Sequence, residues 1–208
     1  MCIRDRHYLF GGQKNVPITI RLIVGRGWGQ GPTHSQSLHS WFAHIPGLKV
    51  VMPATAKDAK GLLISSIFDN NPVIFLEHRW LHNLEGEVEE GDYRIEIGKA
   101  SILREGTDIT FVSMSYMTIE ALHACNELEK AGISCELIDL RTVSPIDWTA
   151  IKKSVRKTGN LIALDTGAKT LSISSEIIST VTEDCWRELK APPKRIAMPD
   201  SPEPTSFG

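Results

Sequence analysis

The residues with the most chemical promise lie in one stretch, GRGWGQGPTHSQS, residues 25–37. Gly25, Gly27, Gly29 and Gly31 alternate with other residues, and Pro32, Thr33 and His34 follow. Glycine tolerates positive φ and lets a backbone approach a ligand closely. Imidazole is the side chain suited to proton exchange near neutral pH. A histidine closing such a loop, at the start of a helix, is placed to protonate an oxygen that develops negative charge. His34 is therefore the candidate catalytic side chain. The alternative at this point is a histidine that only satisfies local structure.

Two phosphate-binding readings of the loop fail on spacing. From Gly25, Gly27 or Gly29, the sixth position of a dinucleotide fingerprint falls on Gln30, Pro32 or His34, and no Gly-Lys-Ser/Thr follows. Nor do His34, His39 and His44 share a metal-binding face. Five residues turn a helix by about 500°, so successive rings point roughly 140° apart. His78 and His82 are spaced i, i+4 with Glu77 beside them, but they end a predicted strand and lack a third ligand. Ser35 and Ser37 lack the GxSxG context of a nucleophile elbow. Asp139 and Arg141 close another predicted strand and read as a structural ion pair or an interface contact. Asp165-Thr166-Gly167 reads as a turn after a strand, with contact to a ligand or partner as the alternative.

Strand and helix signals alternate along the chain that must position these groups. Residues 16–24 are rich in β-branched side chains and predict a strand. Leu38, Trp41, Phe42 and Ile45 fall at i, i+3, i+4, i+7 and predict a helix over 34–45. A short strand over 49–53 follows, then a capping-box start at Thr55 and Asp58 with a helix over 56–68, and a strand over 72–78. Periodicity fails from 79 to 93, where GEVEEGD reads as a solvated linker. It resumes with strands over 100–104, 108–113 and 134–141 and a helix near 118–131. Ser144-Pro145-Ile146-Asp147 predicts a helix start, with the helix ending at Gly159. A strand at 160–165, a helix over 172–187 and a strand over 194–199 complete the pattern. The fold class is α/β, in two domains with mostly parallel sheets. The expected boundaries are 1–84 and 99–208, joined by a linker at 85–98.

Composition narrows the function classes. Lys plus Arg number 23 against 25 Asp plus Glu, which provides no basic stripe for nucleic acid and no charged membrane face. Apolar runs are too short to span a bilayer. Cys2, Cys125, Cys135 and Cys185 lie far apart without CxxC spacing and read as free thiols of a reducing cytosol, so the expected location is cytoplasmic. MCIRDR at residues 1–6 is expected to be foreign to the fold, and both ends are expected to be truncations.

The ordered motifs GGQ, VPITIR, GPTHSQS, HIPGLKVVMPATAKDAKGLL and DNNPVIFLEH resemble the β subunit of thiamine-diphosphate-dependent 2-oxoacid dehydrogenases, of the pyruvate, branched-chain and acetoin type, in the transketolase superfamily. ILREGTDITFVS and LIDLRTVSPID resemble that family's C-terminal domain. The resemblance covers nearly the whole chain from about His7. It implies a partial pyrimidine-binding domain followed by a transketolase C-terminal-type domain. The implied reaction is oxidative decarboxylation of a 2-oxo acid, with the acyl group passed to a lipoyl carrier. Thiamine diphosphate with magnesium would be shared with an α subunit in an α2β2 assembly that serves a lipoyl acyltransferase core. His34 matches the family's loop histidine, a proton donor or orienting group toward substrate, with Ser35 and Gln36 as substrate contacts. Some members hold potassium on main-chain oxygens, matched here by Ile18, Ser66, Ile67, Asp69 and Asn71. The family's activating glutamate is expected upstream of Gly11, so the 208 residues alone are expected to bind cofactor weakly and not to turn over. Thr33 replaces a common glutamine, and residues 165–174 lack a frequent tryptophan–glycine pair. Alternative readings are a transketolase-like carboligase and a non-catalytic interaction subunit.

Overall fold

A computed structural model describes residues 2–25 and 29–203; residues 26–28, Gly27 among them, lie outside the described residues, as do Met1 and 204–208. The first half contains α1 (Cys2–Leu9), β1 (Thr19–Val24), α2 (Gly31–His34), α3 (His39–Ala43), β2 (Lys49–Val51), α4 (Ala56–Ile67) and β3 (Val73–His78). The second contains β4 (Ser101–Arg104), β5 (Ile109–Ser113), α5 (Tyr116–Lys130), β6 (Cys135–Asp139), β7 (Thr142–Ser144), α6 (Trp148–Thr158), β8 (Leu161–Ala168), α7 (Ile173–Cys185) and β9 (Lys194–Met198). One sheet has the order β1-β3-β2-β7 and the other β4-β6-β5-β8-β9. Parallel pairing dominates; β7 on β2 and β4 on β6 are the antiparallel pairs. The α/β class and the mostly parallel sheets therefore agree with the strand–helix alternation of the sequence.

β7 ties the halves together. Its Ser144 and Thr142 pair with Val50 and Val51 of β2, so a strand from the second half completes the first sheet. The main core is accordingly continuous. Val50, Met52, Ile74 and Leu76 pack in one cluster with Val112, Met114, Ile138, Leu140 and Val143. The predicted linker is also less free than its charge suggests. Tyr93 Oη donates to the Lys57 carbonyl at 2.7 Å, Ser65 Oγ donates to the Ile95 carbonyl at 2.6 Å, and Ile95 and Ile97 pack on α4.

The cap at Thr55 forms as its spacing suggests: its hydroxyl accepts from the Asp58 amide at 3.1 Å. Two expected helix boundaries move. The helix predicted over 34–45 is broken into α2 and α3, with residues 35–38 between them. The apolar stripe is only partly used: Phe42 packs against the main core, but Trp41 is 70% exposed while His39 is fully buried. A polar contact with the second domain sets the chain path instead. The helix expected from Ser144 begins at Trp148, because Ser144 is held in the sheet, and Asp147 caps the helix by accepting from the Ala150 amide at 3.1 Å. Residues 2–9 form a helix whose Arg4 donates to the Pro46 carbonyl at 3.3 Å.

Candidate functional site

β1 and β3 run parallel and end side by side at Val24 and His78, where ligands of open α/β sheets bind. Gly25 follows β1 with φ of +111°, and a Cβ there would lie 2.5 Å from His78 Nε2. No other residue fits this close approach. His78 is buried; its ring stacks on Tyr116 of α5 with centroids 4.9 Å apart, and its Nδ1 accepts from the Trp80 amide at 3.3 Å. Glu77 pairs with Arg21 across the β1–β3 ladder at 2.8 Å. Glu77, His78 and His82 therefore gather no metal clamp, and among the described residues no group of three or more His, Cys, Asp or Glu side chains could hold a metal ion.

His34 is the last residue of α2 and its side chain is exposed to solvent. Its carbonyl accepts from the Arg79 guanidinium at 3.3 Å, which ties the loop to the end of β3. Gln36 donates to the Pro32 carbonyl at 2.8 Å and so braces α2. The Ser35 hydroxyl is buried and, like that of Ser37, makes no hydrogen bond among the described residues. A buried unpaired hydroxyl is costly, so Ser35 and Ser37 are the polar groups near His34 in the chain that local structure leaves unexplained. The stretch thus presents an exposed imidazole and two buried hydroxyls. Among the described residues no carboxylate cluster stands beside it that could hold a metal ion.

A partner for the loop was missed by sequence reasoning. His39 Nε2 lies 2.8 Å from Asp165 Oδ1 of β8, with both side chains fully buried. Asp165 also accepts from the amides of Gly167 at 2.8 Å and Ser174 at 3.0 Å. Burial alone would raise its carboxyl, but His39 and these two amides outweigh it and hold Asp165 below the usual carboxylate range. Asp165 is therefore neither a plain turn residue nor open to solvent. Only its position after an apolar strand run hinted at burial.

Asp139 and Arg141 are not paired through the guanidinium. Arg141 reaches Asp58 of α4 at 2.7 Å, joining the two halves, while its amide donates to Asp139 Oδ1 at 3.1 Å. Burial lifts the Asp139 carboxyl from 3.8 to about 7, aided by the nearby Asp58. Between those values the folded chain keeps a proton that the unfolded chain has released. Stability contributed by protonated Asp139 is therefore full below 3.8 and is lost as pH rises through about 7. Asp139→Asn, which cannot ionise, is expected to be more stable than the parent by up to about 4 kcal/mol near pH ~8, with the gain vanishing near pH ~4. Thermal denaturation at both pH values measures this; equal gains at both would refute it.

The five residues matched to a potassium site gather around the turn after α4. The Ile18 carbonyl accepts from the Val73 amide at 2.8 Å and that of Ser66 from the Asp69 amide at 3.3 Å. Against the upward push of burial, Lys49 and the two Asn71 donors hold the Asp69 carboxyl below its usual range. A lysine ammonium thus already rests on Asp69, and each carbonyl keeps one lone pair. Cys125, Cys135 and Cys185 are free and buried, and burial pushes the Cys125 thiol up to about 12, so it is inert. Among the described residues no helix is long and apolar enough to cross a membrane.

The transketolase pyrimidine-binding domain matches residues 4–83, and the transketolase C-terminal domain matches residues 98–208. The chain is 45% identical over 199 residues to the β subunit of acetoin:2,6-dichlorophenolindophenol oxidoreductase of Cupriavidus necator, covering 96% of this chain and 59% of that one. It is 45% identical over 200 residues to the pyruvate dehydrogenase E1 component β subunit of Bacillus subtilis, covering 96% and 62%. The chain therefore spans less than two thirds of either relative's length. Among solved structures, a split-gene transketolase described as an inactive β4 tetramer shares the fold with a TM-score of 0.75 at 22% identity, covering 96% of this chain and 65% of that one. With its two domains matched in the same order along the chain, this protein belongs to the transketolase family.

Proposed function

We propose that the chain is part of the β subunit of a thiamine-diphosphate-dependent 2-oxoacid dehydrogenase, working with an α subunit in an α2β2 enzyme in the cytoplasm. The observation that carries this reading is the exposed His34 on α2, tied by Arg79 to the C-terminal end of β3 and flanked by the unpartnered Ser35 hydroxyl. Relatives at 45% identity bear β-subunit names of this class. Thiamine diphosphate, when bound, supplies the carbanion chemistry that removes carbon dioxide from a 2-oxo acid. His34 delivers and recovers a proton at the substrate oxygen and at the lipoyl acceptor. Ser35 binds the substrate by its hydroxyl, and Gln36 holds α2 in place beside it. Magnesium and the diphosphate grip are assigned to the α subunit. Potassium on the oxygens of Ile18, Ser66, Ile67, Asp69 and Asn71 would add to the Lys49–Asp69 pair.

A second reading changes the substrate. A relative at 45% identity is named for acetoin, a neutral hydroxyketone, so the carbon–carbon bond cleaved would lie beside a hydroxyl-bearing carbon. The test is co-expression of the full-length β subunit with its α partner. Pyruvate, branched 2-oxo acids and acetoin are then supplied in turn with an artificial electron acceptor, with and without thiamine diphosphate. Cofactor-dependent acceptor reduction with one of these is the expected result. Turnover only as ketol transfer between sugars would favour a carboligase, and no turnover with any substrate would favour an interaction subunit.

A further inference from the structure

The His34 loop cannot fix its own geometry. α2 has four residues and α3 five, and single helical turns are marginal by themselves. Between them residues 35–38 have no regular structure. Beyond the Arg79 contact at the His34 carbonyl, the buried anchor that follows in the chain is His39, and its partner is on the other domain. Asp165 is locked by amides from Gly167 and from Ser174 at the start of α7, and it takes His39 Nε2 at 2.8 Å. The approach is tight: a Cβ on Gly167 would lie 2.9 Å from His39 Cε1 and 3.2 Å from the Ser37 carbonyl. His39 Nδ1 has no partner among the described residues, so one bond sets the ring. Buried ion pairs add little net stability compared with apolar residues of similar volume, and their best-attested use is to fix one arrangement.

We propose that His39 and Asp165 are the positioning pair through which the second domain sets the place of His34. The inference rests on the reading of His34 as the catalytic histidine. In the assembled full-length enzyme, His39→Phe removes the donor, His39→Gln keeps an N–H, and Gly167→Ala displaces the ring while leaving the imidazole and the carboxylate in the chain. Amide hydrogen exchange over residues 31–38 is expected to rise at least ~10-fold in His39→Phe and Gly167→Ala, with β5 unchanged. In the same two variants kcat is expected to fall roughly 100-fold with KM held within about 3-fold, whereas His39→Gln stays within about 5-fold of the parent. Unchanged exchange over 31–38 in either folded variant overturns the proposal, even if both lose thermal stability. Faster loop exchange in an enzyme that turns over no substrate supports the pair and refutes the catalytic reading instead.

Discussion

His34→Ala in the assembled enzyme is expected to lower kcat by roughly 10²–10⁴-fold, the usual contribution of a positioned proton donor, and to leave the melting temperature unchanged. The two halves of this expectation have separate grounds. The side chain is exposed and makes no hydrogen bond through its ring among the described residues, so its removal costs no packing. The contact to Arg79 uses the backbone carbonyl, which alanine retains. Steady-state turnover and thermal denaturation of the same preparation check both. A parent-like kcat would move the proton chemistry to the α subunit and favour an interaction role for this chain. His34→Gln separates orientation from proton transfer, because an amide can hydrogen-bond substrate but cannot donate and recover a proton at neutral pH.

Arg141→Ala is expected to be the most damaging single change for stability, by about 3–5 kcal/mol. Asp58 is 3% exposed, and its Oδ1 lies 2.7 Å from the guanidinium. Asp139, also buried, feels Asp58 as a like charge. Without Arg141 the Asp58 carboxylate remains in a dry interface with no cation to balance it, beside an Asp139 carboxyl already raised to about 7. For a chain of this size the loss corresponds to a fall of roughly 10 °C in melting temperature. Replacing both partners, Asp58→Leu with Arg141→Met, should recover most of it, since the penalty comes from an unpaired charge more than from the lost attraction. Urea unfolding of the two single variants and the double variant gives the coupling energy. An Arg141→Ala protein within about 0.5 kcal/mol of the parent would show that water, not Arg141, compensates Asp58.

The glycine-rich turn after β1 and the α/β alternation were legible in the sequence because they depend on local chemistry. Glycine tolerance of positive φ, the cap at Thr55, and the β-branched runs of β1 and β3 act over a few residues. The ordered motifs around GPTHSQS carried the family. What could not be read was long-range. The periodicity of Leu38, Trp41, Phe42 and Ile45 argued for one amphipathic helix, yet Trp41 is exposed and the fully buried residues are Ser35 and His39, the second with a partner 126 residues away. Thr142–Ser144 has too few residues to signal a strand, and it forms one because β2 offers it an edge. Asp139 and Arg141 read as a structural ion pair or an interface contact, and which carboxylate takes the guanidinium, Asp58 in the other domain, was not readable.

The sequence by itself determined the order of strands and helices, the two-domain plan and the chemical identity of the loop side chains, because each follows from residue type and short spacing. The tertiary structure decided which buried polar groups meet. Pairs such as His39 with Asp165 and Asp58 with Arg141 are chosen by desolvation: a polar or charged group removed from water must find a partner, and only the packed domains settle which one is within reach.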